Sequence, residues 1–315
     1  MRINLHFLKL IGIIAALALL IAVIWRFDPA RIAASLTSAK PLHVIAGLLL
    51  VQLQILLSAL RWRFTAARLG QKLPIGQAIG DYYLGTLLNQ LLPGGMAGDA
   101  VRAVRNRTDE VGGWKKPAQA VLFERIAGQG VFFLAAAFGI MLWPLLGGAT
   151  IPQELRHVLT GFSLVVSAIV LAALLFFRFP PKAIRTQLTK LKIALAQVFL
   201  EDRAWIVQAG YSVTIVASYI AMFLVASAAI GAPLPALAAV TAIPLCLLMM
   251  LIPATIAGWG AREAAAAALW PLFGYTASDG IAASILYGIL ALVGAAPGLF
   301  FILRALVNRQ GTSRA

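Results

Sequence analysis

Residues 89–105 read NQLLPGGMAGDAVRAVR, Asn89 to Arg105, and follow directly on an apolar run. Pro93 and the glycines Gly94, Gly95 and Gly98 interrupt that run, and Asp99, Arg102 and Arg105 then place charge at the edge of it. A second stretch, LIPATIAGWGAREAA, repeats the arrangement downstream. From Pro93 the chain runs to Ala97-Gly98 and then Arg102; from Pro253 it runs to Ala257-Gly258 and then Arg262, with identical offsets. Two breaks of the same construction, each after an apolar run, organise the reading of the rest.

The chain has 315 residues, 61% hydrophobic and only 12% charged, with a formal net charge of +15. A soluble domain carries about a quarter charged residues, so a soluble globular class is excluded. The basic balance does not point to nucleic acid. Its arginines and lysines lie in short segments between apolar blocks, the distribution that membrane topology imposes. The single cysteine, Cys246, excludes an internal disulfide.

The apolar blocks predict an all-α integral membrane protein. Spanning helices are expected at Leu8–Ile24, Leu42–Leu60, Ala118–Leu146, Leu159–Phe177, Trp205–Ile230 and Ile281–Leu306, each long enough for the roughly 20 residues a bilayer requires. Ile75–Leu92 and Leu237–Ile252 fit poorly as simple spans and lead into the two motifs, so both are expected to re-enter and return to the side they came from. With the N-terminus in the cytoplasm, lysines and arginines then fall on the cytoplasmic side, except Arg26, Arg31, Lys40 and Arg156 outside and Arg125 and Arg262 within the membrane. Both termini are cytoplasmic in this arrangement, in the plasma membrane. The two hairpins enter from opposite faces, as in an inverted-topology repeat, whose paired broken helices mark transport sites near the midplane. The alternative is two unrelated Pro/Gly breaks. The chain reads as one domain, residues 1–315, with a first half at about 1–178 and a second at about 205–306. Between them, residues 180–203 form a linker in which Ile184, Leu188, Leu191, Leu195, Val198 and Phe199 recur at helical spacing opposite lysines and arginines. An amphipathic helix on the cytoplasmic surface, attracted to anionic lipid, is expected there.

Backbone that leaves the helix inside hydrocarbon needs protein or a wet cavity to satisfy it. Pro93, Gly94, Gly95 and Gly98 suit such a break, and Asp99 is expected to cap a new helix bearing Arg102 on its first turns. Free amides at that start attract anions. Gly258 and Gly260 before Arg262 and Glu263 give the same local chemistry. A third constellation, VLFERIAGQG, puts Glu124 and Arg125 roughly 10 Å into a helix beginning near Pro117. Intramembrane ionisable residues of this kind face a partner or a cavity. Asp99, Arg102, Glu124, Arg125, Arg262 and Glu263 are therefore expected around one shared cavity, where an anion would borrow an arginine from its carboxylate. A purely structural salt-bridge network is the alternative. The sequence contains no HExxH, GxSxG or GKS/T loop and no cysteine–histidine metal set. No catalytic residue, metal or cofactor is expected, and the protein is not read as an enzyme.

In this order LLPGGMAGDAVR, ERIAG and LIPATIAGWGAREAA resemble the lysylphosphatidylglycerol synthase transmembrane-domain family, also called the flippase-like domain family. The resemblance covers nearly the whole chain. In the family's multiple peptide resistance factor this domain precedes a soluble aminoacyl-transferase domain and is associated with moving modified phospholipid across the bilayer; stand-alone relatives occur beside hopanoid and glycolipid pathways. Because this chain ends at Ala315, a stand-alone member without the transferase is expected. The resemblance implies functional positions at Pro93, Gly94, Gly95, Gly98, Asp99, Arg102, Glu124, Arg125, Pro253, Gly258, Gly260 and Glu263. Ala97 and Ala257 depart from it, both standing where glycine is frequent. Asn89 and Arg262 join these as candidate substrate-binding residues. The expected function is translocation of a polar or phosphate-bearing lipid, with membrane lipids as partners, and a second copy or a lipid-synthesis enzyme as further ones. A non-transporting scaffold or subunit of a lipid-modifying enzyme is the alternative.

Overall fold

A computed structural model describes residues 20–22, 24–92, 95–108, 113–146, 160, 164, 167, 168, 171, 172, 174–181, 184–251 and 257–301. Every regular element among them is helical: α1 (Pro29–Thr37), α2 (Pro41–Arg68), α3 (Ile75–Leu91), α4 (Ala97–Arg105), α5 (Lys115–Leu146), α6 (Arg185–Phe199), α7 (Ala204–Ala229), α8 (Ala236–Val240), α9 (Ala242–Leu248), α10 (Ala261–Leu269) and α11 (Ala277–Gly294). Four helices among the described residues are long and apolar enough to cross a membrane, at Pro41–Arg68, Lys115–Met141, Glu201–Ala229 and Ala277–Phe301. They coincide with four of the six expected spans. Of the other two, Leu8–Ile24 lies largely outside the described residues, and Leu159–Phe177 is described only in part, at 160, 164, 167, 168, 171, 172 and 174–177.

The motif shift of 160 positions (93 to 253, 102 to 262) extends to whole elements. Applied to the spans Pro41–Arg68 and Lys115–Met141, it lands within two residues of both ends of Glu201–Ala229 and Ala277–Phe301. Applied to α3, it covers α8, α9 and the 3₁₀ turn Met249–Leu251. The two equivalent spans α2 and α7 lie side by side and run antiparallel. The Lys40 amide donates to the Ala229 carbonyl (2.9 Å), Gln54 to the Ser218 carbonyl (3.1 Å), Arg61 to Ser212 Oγ (3.0 Å), and Gln208 to Thr65 Oγ1 (3.0 Å). Serines and alanines on α7 allow this close approach, and the buried amides tie the pair together, as is usual where lipid supplies no hydrophobic drive. Cross-contacts are reciprocal as well. Gly139 near the end of α5 abuts the Val240 carbonyl of α8, and Gly298, beyond α11, abuts the Tyr83 carbonyl of α3, with Phe301 against Gly80.

Each motif turns the chain back on itself. In the first, α4 folds against α3 so closely that a Cβ on Gly98 would overlap the Gly85 backbone. In the second, α8 and α9 meet at a bend at Thr241 (φ −115°, ψ −79°), and the chain reaches α10 through a turn with Ala257, Gly258 and Gly260 at φ 49°, 83° and 86°. Glycine adopts that left-handed backbone without steric cost; Ala257 does so with strain. Around the second turn Phe223 stacks on Tyr287 (4.9 Å between centroids) and packs against Trp270 (5.3 Å), whose indole N–H donates to Ser227 Oγ (3.1 Å).

The amphipathic helix between the halves is present as α6, but its apolar face is not given to lipid. Leu188, Ala194 and Val198 are buried against Trp62, Ala66 and Leu69 of α2 and Ala120 and Phe123 of α5, with Leu191, Leu195 and Phe199 completing the contact. Arg68 at the end of α2 holds the helix end, donating to the Gln197 carbonyl (2.8 Å) and Asp202 Oδ2 (2.8 Å). The stripe is buried within the protein, and the exposed side of α6 carries Arg185, Lys190 and Lys192 together with Ile193, Lys192 donating to the Phe177 carbonyl (3.0 Å).

Candidate functional site

Three elements bring charge to one place. The first turns of α4 carry Asp99 and Arg102, α5 carries Glu124 and Arg125, and α2 delivers Arg61. Arg102 Nη2 lies 2.5 Å from Asp99 Oδ1 and 3.3 Å from Glu124 Oε2; Arg125 Nη2 lies 2.6 Å from Asp99 Oδ2; Arg61 Nη2 is tightly paired with Glu124 Oε1. The Tyr82 hydroxyl donates to Glu124 Oε1 (3.2 Å). The Arg102 guanidinium sits over the rings of Tyr82 (4.3 Å) and Trp62 (4.8 Å), where cation–π attraction holds its plane. Asp99, Arg102, Glu124 and Arg61 are 5%, 2%, 1% and 4% exposed, whereas the Arg125 side chain is 33% exposed. Arg125 is thus the accessible end of an otherwise sealed row.

These groups line a cavity of about 170 Å³. Since a single water needs about 10–15 Å³ of such space, a phosphate-sized headgroup fits. Ser58, Asn89, Gln90 and Gln129 add polar lining, while the second half supplies an apolar wall from Leu247, Leu248, Met250 and Ala257. Several buried polar atoms in this lining make no hydrogen bond within the protein: Arg102 Nη1, Arg61 Nε, Arg125 Nε and Gln90 Oε1. Buried polar atoms are ordinarily bonded, so this set marks where a ligand or water belongs.

Two expectations about the helix start are corrected. Asp99 does not cap α4: the helix begins at Ala97 behind Met96, and Asp99 lies inside the first turn with its carboxylate drawn to two arginines. The amides are not left for an anion either. Asn89 Oδ1 accepts from the Gly98 N–H (2.8 Å), and in the second motif Glu263 Oε2 accepts from the Gly260 N–H (2.6 Å). Any anion here is held by guanidinium groups rather than by helix-start amides.

The single shared cavity is corrected too. Asp99, Arg102, Glu124 and Arg125 come together, but Arg262 and Glu263 form a separate centre that does not reach it. Arg262 Nε donates to Ser284 Oγ (2.8 Å) and Nη2 to Glu263 Oε1 (2.9 Å); Ser284 Oγ donates to Glu263 Oε1 (2.7 Å). The guanidinium lies between Trp259 (5.1 Å) and Tyr287 (5.0 Å), and both charged residues are 0% exposed. At the same shift of 160 positions, Arg102 corresponds to Arg262 and Glu124 to Ser284. Both arginines lie against two aromatic rings, but Arg102 lines the cavity and Arg262 does not.

Of the remaining candidates, Gly95 (φ 58°) lines the cavity, Gly258 packs on Met250, and Pro93, Gly94 and Pro253 lie outside the described residues. Arg61 was missed because it ends an apolar run and reads as a loop charge. The signal was a polar stripe at helical spacing, Gln54, Ser58, Arg61 and Thr65, all buried. Asp81 bonds Arg105 (2.7 Å) and Asn106 (2.8 Å) away from the cavity and latches α3 to the end of α4.

In comparisons with known proteins, the family described as Lysylphosphatidylglycerol synthase TM region matches residues 9–298. No curated protein matches the chain.

Proposed function

Because the chain belongs to the lysylphosphatidylglycerol synthase transmembrane-region family, we propose that it translocates a polar, phosphate-bearing lipid between membrane leaflets without making or breaking a bond. The observation that carries this reading is the partly open cavity in which three arginines meet two carboxylates and keep unpartnered N–H groups. The headgroup enters beside Arg125, competes with Asp99 for its guanidinium, and engages Arg102 and Arg61 behind it, while its tails stay in lipid. Guanidinium groups suit this task because their fixed fork matches phosphate oxygens.

In this reading the two motifs are re-entrant hairpins of an inverted repeat within one domain. The element shift, the antiparallel α2–α7 pair and the reciprocal cross-contacts support it, as does the placement of lysines and arginines. The chain then sits in the cytoplasmic membrane with both termini inside. Labelling checks the topology: in a Cys246→Ala background, Arg107→Cys should react from the cytoplasmic side and Ala236→Cys from the outside. Reaction of both from one side would end the inverted reading.

Transport is tested in vesicles containing purified protein and a leaflet-resolved labelled lipid. Arg125→Ala should fold, since its side chain is one-third exposed. It should slow translocation about ten- to a hundredfold, the worth of one charge-assisted hydrogen bond. A second reading, a non-transporting subunit of a lipid-synthesis enzyme, draws on the sealed Arg262–Glu263 centre, which looks like a packing device. It requires wild-type vesicles to show no translocation above protein-free ones.

A further inference from the structure

The cavity's charge is fixed by few groups. Arg61, Arg102 and Arg125 face Asp99 and Glu124, three positive against two negative, and among the described residues no other charged side chain lines it. The groups run as an alternating row, Arg125–Asp99–Arg102–Glu124–Arg61, with an arginine at each end and one in the middle. Both carboxylates are thereby shared between two arginines, and no carboxylate remains for the last positive charge. Two charged pairs outside the cavity, Asp81–Arg105 and Arg262–Glu263, are each neutral. Among the described residues the site is therefore one positive charge in excess. Four of the five groups are 5% exposed or less and only the Arg125 end reaches solvent, and an unbalanced charge so poorly hydrated is costly.

We infer that the cavity selects its lipid by charge and takes a monoanionic headgroup, a phosphodiester. The inference rests on the reading above that a lipid headgroup occupies this cavity. A monoanion brings the buried row to neutrality. A zwitterion leaves the surplus positive charge in place, and a dianion converts it into a surplus negative one. Among the unpartnered atoms of the lining are three arginine donors and one acceptor, Gln90 Oε1; the donors are what a diester can use. The atoms left without partners on the arginines, Arg102 Nη1, Arg61 Nε and Arg125 Nε, are all N–H donors, and the two non-bridging oxygens of a diester are acceptors alone. Arg102 is only 2% exposed and held between two rings, so its guanidinium is fixed in place. The row also predicts how selectivity moves. Removing Asp99's charge raises the surplus by one and removing Arg125's lowers it by one; removing both restores the original.

The test is equilibrium binding by calorimetry to purified protein at a mildly alkaline pH that ionises phosphatidic acid fully. Short-chain phosphatidylmethanol is the monoanion, phosphatidic acid the dianion and phosphatidylcholine the zwitterion; dimethyl phosphate is the lipid-free diester. Phosphatidylmethanol should bind about tenfold or more tighter than either other lipid. Asp99→Asn should shift the preference to phosphatidic acid and Arg125→Gln to phosphatidylcholine. The Asp99→Asn, Arg125→Gln double variant should restore the preference for phosphatidylmethanol, which loss of fold cannot mimic. An unchanged order in every variant, or no preference in the wild type, would overturn the charge rule. If dimethyl phosphate binds as tightly as phosphatidylmethanol and follows the same shifts, the rule holds and the lipid reading fails.

Discussion

The Glu124→Ala variant is expected to lose about 3–5 kcal/mol of stability, the cost of leaving a buried charge without its partner. Glu124 is 1% exposed and receives Arg61, Arg102 and the Tyr82 hydroxyl. Without it, three guanidinium groups face one carboxylate. The comparison that isolates this cause is the Arg61→Met, Glu124→Met pair. It removes one charge of each sign and leaves the Arg125–Asp99–Arg102 unit intact, so the pair should unfold at a higher temperature than Glu124→Ala alone. If the pair is instead less stable than the single variant in detergent unfolding, packing and not charge sets the value of this site. Arg102→Ala belongs to the same class: with its side chain enclosed by two rings and two carboxylates, its loss should damage folding itself.

Arg262→Ala should cost stability on the same scale, about 3–5 kcal/mol, yet leave the transport rate per folded molecule unchanged. Glu263 would keep Ser284 and the Gly260 amide as donors but lose Arg262, its one cation among the described residues, at 0% exposure. Arg262→Met with Glu263→Gln should recover most of the loss. The motif offsets make Arg102 and Arg262 equivalents, but their surroundings do not. Ala221 stands where the shift of Arg61 would fall, and Ser284 where the shift of Glu124 would. A well-folded Arg262→Ala protein that has lost translocation would show that the second centre takes part in transport after all.

What could be read from the sequence followed from period and punctuation. Four spans and the amphipathic α6 were legible because each has a length or a spacing that hydrophobicity alone reveals, and the two breaks because Pro and Gly punctuate them. The motif offsets pointed to paired elements, and the charged doublet Glu124-Arg125 to a buried partner. What was not legible is which groups meet. Arg61 looked like the end of a span because a helix that buries an arginine against Glu124 and Ser212 has the same letters as one that exposes it. Asp99 looked like a cap because its neighbours' amides could not be seen to be claimed by Asn89. Whether α6 lies on lipid or on protein depends on Trp62, Ala66, Ala120 and Phe123, which belong to helices far away in sequence.

The crossed contacts between halves set a constraint on how the chain is made. Phe301 and Gly298 close over Gly80 and Tyr83, so the first hairpin waits for its cover until the last span has left the ribosome. During that interval Asp81 and Asp99 have only their local arginines as partners. An insertion machinery or membrane chaperone must shelter that half-built reversal, and a chain stalled before residue 277 would present it to membrane proteases. Ribosome stalls or truncations placed between residues 230 and 277 should therefore yield protein degraded faster than chains truncated before the first hairpin.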